Sequence, residues 1–237
     1  MDINNTHFLR CLEALKDSLF FNKMDADTLK EVLPYMTRCI WTKGTFRNGN
    51  EVASHLHFII SGRLKMYQVS PSSGRERTIM ILTKGDVFDI MCLMDSEAHD
   101  IYYEAMDELE ILFLSKGYMH KWILKNPSMN SSIYAYLGKR FRELEEVASN
   151  VALNNTLVRL SNLLLRNVND KSKELEVINN LPNNEIASLI GTTRAVVNRH
   201  IQELKNYGAI SVSRKYIHID NPEVLRSISR ETFVGYL

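Results

Sequence analysis

The chain has 237 residues, of which 45% are apolar and 24% charged, and its 29 basic side chains stand against 28 acidic ones. Such a chain can build one large globular domain or two ordinary ones, and it is neither a histone-like polycation nor an acidic tail protein. Ten glycines and five prolines also exclude a collagenous or low-complexity polymer.

The first twenty residues are amphipathic and charged, so no secretory signal is expected. Nowhere do about eighteen apolar residues follow one another, so no membrane partner is expected either. The cysteines, Cys11, Cys39 and Cys92, are odd in number and have no C-x-x-C spacing. They read as reduced thiols of a cytoplasmic protein, the alternative being a redox role for Cys11 or Cys39.

From His7 to Leu19, the residues Phe8, Leu12, Leu15 and Leu19 recur at helical spacing. Asp25 then reads as the N-cap of a helix carrying Leu29, Val32 and Leu33, with Pro34 near its end. Residues 38–115 change character. The runs CIW, HFII, RLKMYQV, RTIMIL, DVFDIM, DIYYEAM and LEILFL are short and β-rich. Turn chemistry separates them at Lys43-Gly44, Asn48-Gly49-Asn50, Ser61-Gly62, Pro71 to Gly74 and Lys84 to Asp86. Evenly spaced short strands without intervening helices predict an antiparallel sandwich, barrel or jelly roll, not a parallel βαβ enzyme fold.

The helical period returns after Ser115, and Ser128 to Val151 is the longest candidate. Ile133, Leu137, Phe141, Leu144, Ala148 and Val151 step by three or four residues and form one narrow seam, which predicts a coiled-coil contact with a second chain. The other reading is that this face packs on its own β domain. Asn154-Asn155-Thr156 breaks the pattern and supplies a hinge and an N-cap.

Residues 156–237 carry 11 Lys and Arg against 8 Asp and Glu, which places the cationic end of the chain here. In NNEIASLIGTTRAVVNRHI, a short helix from Glu185 to Ile190 ends at Gly191, and Thr192 or Thr193 caps the next. Ala187 is small where the two helices cross, and Val197 and Ile201 face inward. This is the helix-turn-helix spacing. The opposite face presents Arg194, Asn198 and Arg199 at the start of the second helix, where base edges are met in a major groove. Arginine suits bidentate contact with guanine, and Thr192 and Thr193 suit phosphate. SVSRKYIHI then reads as a wing with Arg214 and Lys215 at its tip, placed for phosphate. Double-stranded DNA is the expected partner.

The glycine-spaced strands, with HFIISGRLKMYQ and LTKGDVFDI, and the string GTTRAVVNRHIQELKNYGAI resemble the cyclic-AMP receptor protein/FNR (CRP/FNR) family of bacterial transcription regulators over almost the whole chain. The resemblance implies an α+β chain with three parts. These are a β-roll of the cyclic-nucleotide-binding type over residues 1–127, a long dimerisation helix and hinge over 128–155, and a winged helix-turn-helix over 156–237. It further implies a homodimer on a pseudo-palindromic operator, an effector held in the β-roll against the long helix, and RNA polymerase as a partner.

The chain departs from the family's pattern in places. The typical recognition helix reads Arg-Glu-x-x-x-Arg; here Arg194 and Arg199 match, but Ala195 replaces the glutamate that accepts a hydrogen bond from cytosine N4. Asp89-Ile90-Met91 replaces Gly-Glu-Leu, and His99-Asp100 aligns with the Arg-Ser pair that grips the cyclic phosphate. No arginine lies between Arg77 and Arg140, so cyclic AMP is not expected. What remains is apolar and aromatic: Phe88, Ile90, Met91, Leu93, Tyr102 and Tyr103, with His99, and with Tyr134 and Leu137 from the long helix. These residues predict a small hydrophobic or aromatic effector, the alternative being that they fill the β-roll. DIYYEAM is also similar to family members that sense halogenated aromatics.

Haem is not expected, although His55, His57, His99 and Cys92 are possible axial donors; a haem- or redox-sensing regulator of the same fold is the alternative. No iron–sulfur cluster and no metal site are expected, since the seven histidines show no ligand spacing closer than His55-x-His57. No catalytic motif is present, so an enzyme is not expected. A ligand or interaction module that does not bind DNA is the remaining alternative class.

Overall fold

In a computed structural model of the chain, the described residues are 6–94, 100–169, 171–213 and 216–234. They divide into two units. One takes the residues up to Gln68 together with Ile79–Arg142, and the other takes Val69–Thr78 together with the residues from Glu143 onward.

The first unit opens with α1 (Thr6–Asp17) and α2 (Ala26–Val32). Asp25 caps α2 by accepting from the Thr28 N–H at 2.8 Å, as its place before an apolar-periodic run predicts. Strands follow: β1 (Thr37–Trp41), β2 (Phe46–Asn48), β3 (His55–Ser61), β4 (Leu64–Val69), β5 (Glu76–Leu82), β6 (Val87–Phe88), β7 (Tyr102–Ala105) and β8 (Leu109–Ser115), with a one-turn α3 (Gly49–Val52) after β2. They form two four-stranded sheets, ordered β1-β8-β3-β6 and β2-β7-β4-β5, and every described pairing is antiparallel. Gly62 makes the turn after β3 possible. Its φ is +90°, and a Cβ there would meet the Glu108 carbonyl oxygen at 2.4 Å, so only glycine fits.

The strand period explains the two cores. Leu56, Phe58 and Ile60 of β3 and Leu112 and Leu114 of β8 turn to one side, where they bury against residues of α1, α2, α4 (Lys116–Lys125) and α5 (Met129–Leu153). Ile59 and Ile111 turn to the other and join Trp41, Leu64, Phe88, Tyr103 and Ala105, residues of both sheets.

Two expectations are corrected here. DVFDIM does not continue as a strand: β6 stops at Phe88, Asp89 takes a left-handed conformation (φ 58°, ψ 34°), and a 3-10 turn runs from Ile90 to Leu93. The short β2 follows Lys43-Gly44 and has too little alternation to show as a strand, and Asn48 is not a simple turn residue. It caps α3 in a reciprocal capping box with Glu51.

In the second unit, α6 (Thr156–Asn167) starts at Asn155, whose side chain accepts from the N–H groups of Leu157 and Val158. Then come α7 (Asn183–Ile190), α8 (Arg194–Asn206), the strands β9 (Ile210–Ser213) and β10 (Tyr216–Ile219), and α9 (Pro222–Val234). Helix α6 packs on α9, and α7 on α8. Leu160, Leu164, Val197, Leu204, Ala209 and Leu225 are buried.

Candidate nucleic-acid interface and effector region

Helix α7 ends because Gly191 adopts φ +68°, and the N–H groups of Gly191 and Thr192 both turn back to the Ala187 carbonyl. This left-handed cap reverses the chain within two residues. Thr193, not Thr192, is the N-cap of α8, its hydroxyl accepting from the Val196 N–H. Along α8, Val197, His200 and Leu204 are buried, which turns Arg194, Ala195, Asn198 and Arg199 to solvent. Ile201 is only partly buried. The buried histidine is unexpected. Its Nε2 lies 2.8 Å from the Thr156 hydroxyl and its Nδ1 3.1 Å from Glu203, which ties the second helix of the motif to the start of α6. Asn198 accepts from the Asn183 amide at 2.7 Å, so its side chain is oriented by α7.

The wing is a two-stranded antiparallel ribbon, with Tyr216 opposite Ser213. Arg214 and Lys215, the two residues between them in sequence, lie outside the described residues.

Two sets of contacts hold this unit together that the sequence did not announce. The Arg159 guanidinium donates to the carbonyls of Val151 (2.6 Å), Asn154 (2.8 Å) and Ile190 (3.2 Å). It thereby clasps the end of α5, the Asn154 carbonyl just beyond it and the end of α7. Burial, and then the nearby charge of Arg77, lower its pKa. Ser188 on α7 accepts from the N–H of Thr78 (2.8 Å) and from its hydroxyl (2.9 Å), and Arg75 donates to the Thr192 carbonyl at 3.0 Å. Residues 69–78 therefore steady the turn that launches α8.

In the first unit, the proposed effector residues do not converge. Phe88 and Tyr103 are fully buried in the core shared by the sheets, their rings 5.1 Å apart. Ile90, Leu93 and Leu137 belong instead to the core under the helices. Met91 is exposed, and Tyr134 is 67% exposed. Tyr102 stacks on Phe46 at 5.6 Å and lies against Tyr67. His99 lies outside the described residues, as does the Cys92 side chain. His57 is buried and stacks on Phe88 at 4.5 Å, and burial lowers its pKa to about 3. His55 bonds the Ser54 hydroxyl and meets Phe113 edge-on.

Next to this region sits a polar joint. The Tyr136 hydroxyl donates to the Val87 carbonyl (2.8 Å) and accepts from the Val87 N–H (2.9 Å) and from Arg140 (3.0 Å). Arg140 pairs with Asp86. Three residues on, the buried Asp89 carboxyl has its pKa raised to about 7 by desolvation, against the charge of Lys116. Side-chain identity alone could not mark these groups, because each acts through a partner distant in sequence.

The seam on α5 also divides. Ile133 is buried in the chain's own core and Leu137 packs against it, so the first turns of the helix follow the alternative reading: they cover the β-roll. Phe141 (63%) and Leu144 are exposed large apolar residues. Ala148 is exposed and Val151 half-buried.

Residues 158–228 match the Crp-like helix-turn-helix domain, and residues 45–126 match the cyclic nucleotide-binding domain. A CRP-like cAMP-activated global transcriptional regulator of Mycobacterium tuberculosis is 24% identical over 184 residues, 76% of this chain and 82% of that one. The cyclic AMP receptor protein of Thermus thermophilus is 23% identical over 217 residues, 91% of this chain and 98% of that one. The fold matches that of the c-di-GMP responsive regulator CLP of Xanthomonas campestris with a TM-score of 0.70 at 19% identity, over 83% of this chain and 100% of that one. Such relatives regulate transcription and are not enzymes. With both domains matched in this order behind the geometry above, the chain belongs to the CRP/FNR family as a DNA-binding transcription regulator with a cyclic-nucleotide-binding-like domain.

Proposed function

We propose that the protein is a homodimeric, sequence-specific regulator that lays α8 in the major groove of a pseudo-palindromic operator and answers to a small effector in the β-roll. The observation that carries this reading is the two-sided character of α8. Val197, His200 and Leu204 anchor it, while Arg194, Ala195, Asn198 and Arg199 are exposed together on its first turns. Those positions meet base edges in helix-turn-helix complexes. Thr192 and Thr193 at the helix start, with Arg214 and Lys215 in the wing, are assigned to phosphate.

The second chain is assigned to the exposed stripe Phe141, Leu144 and Ala148, with Val151. An apolar stripe left in water along a long helix is a partner surface. Ile133 and Leu137 serve it from behind by fixing α5 to the β-roll.

The effector is assigned to an apolar or aromatic class instead of a cyclic nucleotide. The Mycobacterium relative is named for cyclic AMP and the Xanthomonas regulator is described as responsive to c-di-GMP, both phosphate anions. This chain has no arginine between Arg77 and Arg140, and it buries a carboxyl, Asp89, where the family pattern has glycine. A phosphate there would lack the arginine that grips it in the family pattern. RNA polymerase is the further partner this reading implies, in the cytoplasm; among the described residues no helix is long and apolar enough to cross a membrane.

The test is capture of genomic fragments by the purified protein. Recovered DNA should share an inverted repeat whose half-sites lie about one helical turn, ~34 Å, apart. Capture without a shared repeat, at an affinity set only by salt, contradicts the reading. For the effector, cyclic AMP should leave the melting temperature unchanged, whereas a saturable rise with it would overturn that assignment.

A further inference from the structure

His7 and Cys11 lie one turn apart on α1 and meet Glu110 of β8. The His7 Nε2 is 3.6 Å from the Cys11 Sγ and 3.7 Å from the Glu110 Oε1, and one ligand atom from each of the three residues falls within 4.8 Å of the others. Ligands on a tetrahedral zinc ion, with bonds of about 2.0–2.3 Å, stand roughly 3.3–3.7 Å apart. The His7 Nε2 already stands at that spacing from both Cys11 and Glu110.

The surroundings suit an ion. Cys11 is wholly buried and the Glu110 side chain nearly so, whereas the His7 side chain is 25% exposed and offers a way in. Glu110 is held in place by Arg38, which donates to Oε1 at 2.6 Å, and by Arg10 on Oε2. A carboxylate oxygen has two lone pairs, so Oε1 can serve Arg38 and an ion together. Hydrogen bonds of this kind orient a ligand from behind. Both guanidinium groups are well exposed, so water screens their repulsion of a cation. Burial would raise the Glu110 pKa, but the bond from Arg38 and the charge of Arg10 bring it below its usual value, so the carboxylate is ready. Burial, and then Glu110, raise the Cys11 thiol, so the ion must displace a proton.

We propose that His7, Cys11 and Glu110 form a binding site for one divalent transition-metal ion of borderline softness, zinc fitting best, with solvent completing the coordination. The imidazole, thiolate and carboxylate form a nitrogen, sulfur and oxygen set of the kind zinc accepts. Binding exchanges the thiol S–H bond for a sulfur–metal bond and releases the proton to water, with no change of oxidation state. The ion then cross-links α1 to β8. In sequence the His7–Cys11 pair carried no signal, because its third ligand arrives only through packing of the helix on the sheet.

The test is a titration of the tag-free full-length protein, stripped with chelator under reducing conditions, with cobalt(II) as the spectroscopic probe. One cobalt per chain should bind with a thiolate-to-cobalt charge-transfer absorption, and zinc should abolish it. The affinity should fall as pH falls, because protons compete for sulfur. Cys11→Ser should remove the band, His7→Gln should weaken binding at least about tenfold, and Cys39→Ser should change nothing. If Cys11→Ser does not fold, His7→Gln at its partly exposed position decides. No charge-transfer band at one equivalent of cobalt, or a band unaltered in the variants that fold, would overturn the site.

Discussion

The helix-turn-helix and the β-roll carry their function in opposite ways. On α8 the groups assigned to DNA are exposed, polar and close together in sequence, and buried residues of the same helix hold them out. In the β-roll the groups assigned to the effector are dispersed: Phe88 and Tyr103 in one core, Ile90 and Leu93 in the other, Met91 and Tyr134 in solvent. A surface that meets a large polyanion can be built on one rigid helix and left open. A region that meets a small apolar molecule must be assembled from several elements. The same difference separates substitutions that alter recognition from those that alter stability.

The largest expected effect comes from Leu144→Asp. A charge in the exposed stripe of α5 should yield monomers in sedimentation and lower operator affinity by about a hundredfold to ten-thousandfold, since the second half-site no longer benefits from a linked first one. A variant that sediments as a dimer with normal affinity would remove the stripe from the interface.

Asp89 and His57 set up the next effect, confined to the β-roll. The folded pKa of Asp89, about 7, lies above its unfolded value near 3.8. Its contribution to stability is therefore fully present below pH ~3.8 and is lost as pH rises through about 7. His57 works in the reverse sense: at about 3 against 6.5, it makes stability rise between those values. The two slopes oppose each other over their common range. Asp89→Asn should therefore expose a rise in stability with pH up to about 6.5, and at neutral pH it should stabilise by an amount on the order of a few kcal/mol. Denaturant unfolding at a series of pH values reads this; an unchanged pH profile contradicts it.

Arg159→Ala leaves the carbonyls of Val151, Asn154 and Ile190 without their donor. It should cost about 2 kcal/mol of stability in the second unit and weaken operator binding about tenfold, with Arg159→Lys restoring part of the loss. Equal affinities for wild type and the alanine variant would show that the clasp does not position α8.

The smallest effect distinguishes wing from helix. Lys215→Ala should weaken all DNA sequences alike and reduce the salt dependence by about one unit per phosphate contact. A changed base preference would move this residue from phosphate to base readout.

How much of this was legible in sequence follows from where each signal resides. Gly191, Ala187, Thr193 and the polar face of α8 are local: helix period and cap chemistry specify them within about twenty residues. The short β-rich runs set between turn residues likewise announced the β-roll. Ile133 and Leu137 fit a dimer seam as well as a domain core, because the spacing of apolar residues shows that a face is covered but not by what. DVFDIM was misread because its β-rich composition outweighed one aspartate that takes a left-handed conformation. Arg159, Tyr136 with Arg140, and Glu110 with its two arginines were invisible, since each depends on partners brought together by the fold.

Base readout by α8 is the central claim, and a selection from randomised operators tests it most directly, run on wild type, Arg194→Ala and Ala195→Glu. Arg194→Ala should relax the preference for guanine at one position of each half-site, at about 1–3 kcal/mol per half-site. Ala195→Glu should add selection for cytosine at the neighbouring pair, through its N4 donor. If Arg194→Ala instead lowers affinity evenly and leaves the preference at every position unchanged, Arg194 is a phosphate contact and the reading of α8 as the base-reading helix fails at that residue.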